Sequence, residues 1–337
     1  MPSIRVQKPG LCVTVQDIGR IGYQQYGIPV SGVMDEFAFT VGNFLVDADK
    51  NNAVLEIPYL GPSLEFDFDI TIAITGANLT PKINNQDIAM WTSVNIRKGD
   101  ILSFSNIKTG ARAYIAFAGE IDVPVVNGSK STLLKSKLGG FNGRQLKMGD
   151  IIEIKNPKII KKRRSLNSKY IPSYSTFEEI KIVLGPQDDY FTKKGIDTFL
   201  TSEYEVTKEA DRMGMRLEGE VIEHKDKADI ISDAAVFGSI QVPGNGKPII
   251  LLADRQTTGG YTKIGTVIKA DLPKLAQMSF GHKIKFKQLD IEEAQQEYIN
   301  FYKKLDEIKD SLNIANEKRY SEKELKVLKK LFGNRLK

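Results

Sequence analysis

The chain has 337 residues, of which 41% are hydrophobic, and carries a formal net charge of +6. That is enough apolar chain to bury a substantial core, predicting two folded units rather than disorder. One cysteine excludes an intrachain disulfide, and two histidines exclude a His-rich metal centre and argue against a Ser-His-Asp triad as the organising chemistry. No metal centre is expected, an all-oxygen magnesium site being the form that composition leaves open. No apolar run approaches the roughly 20 residues that span a bilayer. The first residues, Met1-Pro-Ser-Ile-Arg-Val, lack a signal core, so a cytoplasmic location is expected. The positive charge concentrates in 155–169 and in the last twenty residues without an interleaved aromatic platform, which argues for solvated segments rather than nucleic-acid binding.

The first half reads as short strands and turns. A helix is predicted over 35–46, with Phe37, Ala38, Val41, Phe44 and Leu45 on one face. Residues 64–70 alternate apolar and acidic side chains, as a half-exposed strand does. Residues 71–75 predict a buried strand, 94–104 a strand, Lys-Gly-Asp turn and strand, and 111–118 another strand. Lys147-Met-Gly-Asp resembles Arg97-Lys-Gly-Asp, which suggests one turn used twice. Cys12, between Leu11 and Val13, reads as a small buried residue. Asp17 and Arg20 read as a salt bridge.

Residues 156–177 form the predicted basic linker between an N-terminal unit, 1–155, and a C-terminal β unit, 178–290. In the second unit, strands are expected at 180–184, 229–231, 249–253, 266–268 and 283–286, with short helices at 192–202 and 272–278. His224 and His282 read as exposed loop residues. Residues 291–337 change character. Ile299, Tyr302, Leu305, Ile308 and Leu312 recur at helical spacing, and Ser321-Glu-Lys-Glu resembles a capping box opening a second helix over 322–332. A helical tail docked on its own domain is the expectation, with a partner-binding arm as the alternative.

The most informative stretch is Asp254-Arg-Gln-Thr-Thr-Gly-Gly-Tyr261, fed by the apolar run 248–253. A core strand has no use for so many polar groups, each of which must find a partner. A site for a small, planar, amide- or carboxylate-bearing molecule does. Arg255 could clamp a carboxylate, Gln256 could donate and accept at once, and Thr257, Thr258 and Tyr261 add hydroxyls. Asp254 could act as general base or as the orienting partner of Arg255. Gln187 and Asp188 follow a strand at Gly185-Pro186 and could face a cleft, although Asp188 could equally cap the next helix. Gln241, Gln16 and Asp35 complete the candidate binding set. Asp211-Arg212 reads either as part of the site or as an ion pair fixing a loop.

Taken in order, Thr14-Val-Gln-Asp-Ile-Gly-Arg20, Gly32-Val-Met-Asp35, Thr75-Gly-Ala77, Val183-Leu-Gly-Pro-Gln-Asp-Asp-Tyr190, Asp211-Arg-Met-Gly214, Gly238-Ser-Ile-Gln-Val-Pro243 and 254–261 resemble the biotin-dependent carboxyltransferase family over residues 3–288. Its members include the C component of 5-oxoprolinase, the regulator KipA, allophanate hydrolase subunit 2 as formerly labelled, and a carboxyltransferase region of urea carboxylase. The resemblance implies a mainly β fold, two cyclophilin-like β-barrel domains with short helices plus the helical C-terminal extension. It implies one component of an ATP-dependent 5-oxoprolinase, acting with a KipI-like B component and a LamB/YcsF-like A component. The alternatives are a carboxyltransferase component acting on urea or a related amide, and a KipA-like regulator of a KipI-like kinase inhibitor. The chain has neither a Met-Lys-Met biotin-attachment sequence nor a Walker loop. ATP would therefore be used by the assembled complex, and any carboxybiotin would arrive on another chain.

Overall fold

The computed structural model describes the backbone of residues 1–317 and side chains through Leu312. The predicted helix over 322–332 lies outside the described residues.

The strands of the first half form two sheets. One runs Glu120–Ile121, Ile151–Lys155, Ser3–Lys8, Ser63–Phe66, Ile101–Phe104, Pro81–Ile83 and Gln86–Asp87; the other runs Thr14–Gln16, Val54–Pro58, Thr109–Phe117, Ile70–Asn78 and Ser93–Ile96. The Lys98-Gly99-Asp100 turn is a corner between sheets, since Ser93–Ile96 pairs with Ile70–Asn78 whereas Ile101–Phe104 pairs with Ser63–Phe66. The similar turn at Lys147-Met-Gly-Asp has the same construction. In both, the aspartate carboxylate accepts from the backbone N–H three residues earlier, Arg97 (2.8 Å) and Lys147 (2.7 Å). In both, a glycine with φ near +90° makes the turn, 90° at Gly99 and 87° at Gly149, a conformation that side chains resist.

Helix α1 (Glu36–Leu45) lies on the second sheet with nine of its ten residues buried, which is why its sequence, EFAFTVGNFL, is apolar on more than one face. Asp35 caps it, accepting from the Ala38 N–H at 2.9 Å.

The second half is a closed seven-stranded barrel: Phe177–Leu184, Lys263–Val267, Ser239–Gln241, Ile249–Leu251, Gly214–Glu218, Glu203–Val206 and Lys283–Gln288. Closure joins Lys283–Gln288 to Phe177–Leu184 in parallel, so the unit leaves no free edge there. Helix α2 (Lys193–Thr201) is capped by Thr192, not Asp188. Asp188 instead opens a short 3-10 turn, Asp188–Tyr190. Helix α3 (Leu272–Ala276) packs Leu272, Leu275 and Ala276 into the apolar cluster of the barrel. A two-stranded ribbon, Asp229–Ala234 against Thr258–Tyr261, stands outside the barrel.

The two cores interlock. Met34, from the first half, belongs to the apolar cluster of the barrel. Conversely, helix α4 (Ile291–Glu317) crosses back and buries Phe301, Leu305, Ile308 and Leu312 in the core of the first half. Ile299, expected on the buried face, is 55% exposed; Phe301 takes its place, edge-on to Phe37. The expected linker is also partly built in. The Leu166 N–H donates to the Trp91 carbonyl at 2.9 Å, Leu166 is buried, and the Arg164 guanidinium reaches Asp47 and the Phe44 carbonyl. Its basic residues are therefore not all solvated.

Four further expectations are corrected. Cys12 is exposed, in a left-handed backbone conformation with φ 48°, while Val13 enters the core. Asp17 does not pair directly with Arg20. Its Oδ1 accepts from the Ser131 hydroxyl, whereas Arg20 donates to the Ser131 carbonyl, so one serine separates the two charges. His224 is half-buried, stacked on Phe191 with Nε2 at 3.1 Å from the Val242 carbonyl, and burial lowers its pKa. His282 is half-buried too, with its Nδ1 facing the Ser279 N–H.

Candidate active site at the seam of the two β units

The strand Ile249–Leu251 delivers Asp254 to the seam between the halves. Asp254 is 7% exposed. Its Oδ1 accepts from the Ser31 hydroxyl at 2.7 Å and from Arg212 Nη2 at 2.9 Å; its Oδ2 accepts from Arg212 Nε at 2.9 Å. This is a two-pronged guanidinium–carboxylate pair, which fixes orientation as well as charge. Arg212 also donates to the Gly32 carbonyl at 2.6 Å and pairs through Nη1 with Glu56. Glu56 in turn accepts from the Met34 N–H (2.9 Å) and the Tyr114 hydroxyl (3.0 Å), and Tyr114 accepts from the Asp35 N–H (2.9 Å). One arginine from the barrel thus binds one carboxylate from each half. Burial opposes its charge, but Asp254 and Glu56 outweigh burial and hold the Arg212 pKa above its ordinary value.

Asp254, Arg212 and Glu56 line a cavity of about 360 Å³ together with Cys12, Arg112 and Lys135. The volume falls within the roughly 300–1,000 Å³ common for small-molecule sites. Apolar walls from Leu11, Pro58 and Met213 face a mixed set of carboxylates and cations. Such a site can hold a small planar molecule, stabilise negative charge developing on a carbonyl oxygen, and present an oriented carboxylate to a proton.

The sequence neighbours Asp254 and Arg255 separate. Arg255 does not bind Asp254; its Nε donates to the Ala235 carbonyl (3.1 Å) and its Nη1 to the Leu252 carbonyl (3.3 Å). It lines a different cavity, with Ser31, Met34, Phe237 and Lys269. Burial, partly offset by Asp254, pushes the Arg255 pKa down to about 10. Arg212, not Arg255, is therefore the orienting partner of Asp254. Gln256 and Thr258 are exposed, Thr257 is half-buried, and Tyr261 is 41% exposed. Thr258 and Tyr261 lie on the ribbon, and none of these four lines the Asp254 cavity.

Gln187 and Gln241 belong to a third cluster, beneath that ribbon. Gln187 Nε2 donates to Asp233 at 3.1 Å, its Oε1 accepts from the Lys263 N–H, and the buried Lys263 ammonium lies 3.0 Å from Asp233. A Cβ on Gly259 would come within 2.2 Å of Gln241 Nε2, so a side chain there would have to displace that amide. Asp188 is half-exposed nearby in sequence and lines no cavity with Asp254. Gln16 is buried and donates to the Thr14 hydroxyl and the Thr132 carbonyl. The Thr132 carbonyl also lies 3.0 Å from the Ser31 hydroxyl, whose proton goes to the closer Asp254 Oδ1, so Gln16 braces the cavity from behind. Asp211 and Arg212 do not pair with each other; Asp211 accepts from the Met213 and Gly214 N–H groups and shapes the loop that aims Arg212.

Asp35 sits on the far side of Tyr114. Burial raises its pKa to about 6, while the Ala38 and Gln277 hydrogen bonds pull it down. The folded state thus binds this proton more tightly than the unfolded chain, whose value is near 3.9. As pH rises from about 4 to about 6, the protein should lose stability of order 3 kcal/mol from this group. Urea unfolding between pH 4 and 8 checks it: Asp35→Asn should show a smaller decline over that window, and an identical decline in both proteins would refute the assignment.

Sequence reasoning missed Arg212 as the hub, and it missed Glu56, Arg112, Ser31 and Lys263. Glu56 had a signal, being the acid in the otherwise apolar strand Val54–Pro58. Arg112 and Ser31 had none, since ordinary polar positions acquire meaning only when the halves meet.

Two interlocked β units with a charged cavity at their seam define a two-subdomain β protein whose candidate site is lined from both halves. Residues 26–288 match the family described as carboxyltransferase domain, subdomain A and B, and the chain belongs to that family. It is 37% identical over 293 residues to the C component of 5-oxoprolinase from Escherichia coli (strain K12), covering 86% of this chain and 93% of that protein. It is 35% identical over 283 residues to the Haemophilus influenzae protein of the same name, covering 83% and 89%. Urea amidolyase of Saccharomyces cerevisiae is 30% identical over 314 residues, 87% of this chain but 17% of that protein. The crystal structure of Kluyveromyces lactis urea carboxylase superposes with a TM-score of 0.86 at 29% identity, covering 91% of this chain and 29% of that one.

Proposed function

We propose that this protein is the C component of an ATP-dependent 5-oxoprolinase, and that it works in the cytoplasm. The observation that carries this reading is collinearity: the chain spans nearly all of two bacterial proteins of that name, at 37% and 35% identity. In this reading the complex adds water across the lactam C–N bond of 5-oxoproline to give glutamate, with ATP as the driving reactant. The LamB/YcsF-like A component and the KipI-like B component are the partners, and ATP is handled by the assembly. The seam cavity suits the substrate. Arg112 and Lys135 supply positive charge for its carboxylate, and Asp254, fixed by Arg212 and Ser31, supplies an oriented base.

The urea carboxylase likeness supports a second reading, carboxyl transfer to an amide nitrogen from carboxybiotin borne on another chain. The same cavity would then hold the ureido ring. The deciding experiment reconstitutes this chain with the A and B components and measures glutamate formed from 5-oxoproline and ATP, against a control lacking this chain. Glutamate formation that requires the chain supports the first reading. A folded three-part complex that forms none overturns it in favour of the second.

A further inference from the structure

The cavity that Arg255 lines has a volume of about 280 Å³, and its walls come from both halves, from α3 and from α4. Ile18, Val33, Phe237 and Leu272 supply apolar wall. Ile21 lines it too while 71% exposed, so the apolar lining continues to the surface. The Arg255 guanidinium carbon lies 5.9 Å from the centre of the Phe237 ring.

Three charged side chains line this cavity: Arg255, Lys269 and Glu36. Two of them cancel, because Glu36 pairs with Lys269 through Oε2, and its Oε1 accepts from the Tyr302 hydroxyl at 2.8 Å. Arg255 is different. It is 6% exposed, yet it donates only to neutral groups, the Ala235 and Leu252 carbonyls. The carboxylate next to it in sequence, Asp254, is committed to Arg212. Burial pushes the Arg255 pKa down to about 10, which leaves it charged at neutral pH. Its third nitrogen, Nη2, donates to no described residue, and it is not among the partnerless polar atoms sealed from solvent. Nη2 is therefore open to a ligand. Buried charges are normally paired, so a buried guanidinium with an open nitrogen on a cavity marks a place for an anion. Ser31 lines the same cavity, but its hydroxyl proton goes to Asp254, so Ser31 adds no donor.

We propose that this cavity binds a small aliphatic monocarboxylate, its carboxylate accepting from Arg255 Nη2 and its alkyl chain lying along the apolar wall. One anionic charge matches the one cation without a carboxylate partner; a dianion would leave excess negative charge in a buried place. The volume is near the roughly 300 Å³ at which small-molecule sites begin, which restricts the chain to a few carbons. The apolar wall selects an alkyl body rather than a polar ring. The ligand therefore differs from the substrate proposed above, and the inference does not rest on the oxoprolinase reading.

Hexanoate is the probe, titrated into the full chain at neutral pH and followed by saturation-transfer NMR. Saturable binding is expected. Acetate keeps the charge and loses the chain; it should bind at least about tenfold more weakly, each buried CH₂ contributing roughly fourfold. Hexanol keeps the chain and loses the charge, and should bind about tenfold more weakly. Arg255→Gln should weaken hexanoate binding about tenfold or more. Ile21→Glu sets a carboxylate at the exposed end of the lining and should also weaken it. Melting curves establish folding, and if Arg255→Gln does not fold, Ile21→Glu, at an exposed position, decides in its place. The proposal is overturned if the wild type shows no saturable binding, if acetate or hexanol binds as tightly as hexanoate, or if the deciding variant binds as tightly as wild type. It is also overturned if Lys135→Ala, at the Asp254 cavity, is the variant that loses affinity.

Discussion

Arg212→Met is expected to destabilise the protein by about 3–5 kcal/mol, the usual cost of removing one partner from a buried ion pair. The reason is what the substitution leaves behind. Glu56 is 2% exposed and Asp254 7% exposed, and both buried carboxylates would lose their shared guanidinium. Methionine fills a similar volume, so the loss reports charge rather than a cavity. Arg212→Lys restores the charge but cannot reproduce the two-pronged contact with Asp254 while also reaching Glu56 and the Gly32 carbonyl. It should recover part of the loss. Urea midpoints at unchanged slope would measure both. A loss under about 1 kcal/mol for Arg212→Met, within the range of an exposed pair, would mean that apolar interlocking through Met34 holds the seam and the ion network is secondary.

That result would also explain why the site was only partly legible in the sequence. Local rules were sufficient where structure is local. Asp35 and Val46 bound α1, Thr192 and Ser202 bound α2, and the two Lys/Met-Gly-Asp turns share one geometry. The strand leading to Asp254 followed from an apolar run ending in an acid. Its partner did not. Adjacency in sequence suggested Arg255, yet Asp254 stands in the turn that follows the strand and Arg255, just past it, enters another cavity. The true partner lies 42 residues away in sequence, in a loop whose aim depends on Asp211 capping its turn. Glu56 is 156 residues from Arg212. Pairings over such distances depend on how the halves dock, and no periodicity encodes them. The helical tail shows the same limit: its amphipathic spacing was readable, but its return to the first half, with Phe301 against Phe37, was not.

The division between the two cavities leads to the sharpest functional expectation. In the reconstituted complex, Asp254→Asn should lower kcat/KM for 5-oxoproline by about 10²–10⁴, the range associated with a positioned general acid or base. Asparagine keeps the shape, and its Oδ1 can still accept from Ser31 and Arg212 Nη2, but its amide nitrogen cannot accept from Arg212 Nε and the side chain cannot take a proton. Its stability should be measured alongside, because Arg212 would then be neutralised by Glu56 alone. Arg255→Lys should change kcat/KM by less than tenfold, since Arg255 donates to the Ala235 and Leu252 carbonyls and lines the other cavity. Lysine retains charge, so an effect on folding is limited to the two lost carbonyl contacts. Equal losses from both variants would place the reaction across both cavities, whereas full activity in a folded, assembled Asp254→Asn complex would remove Asp254 from the chemistry. The expected separation, a large loss at Asp254 and a small one at its immediate neighbour, follows from one structural fact: the guanidinium that orients the acid comes from Arg212.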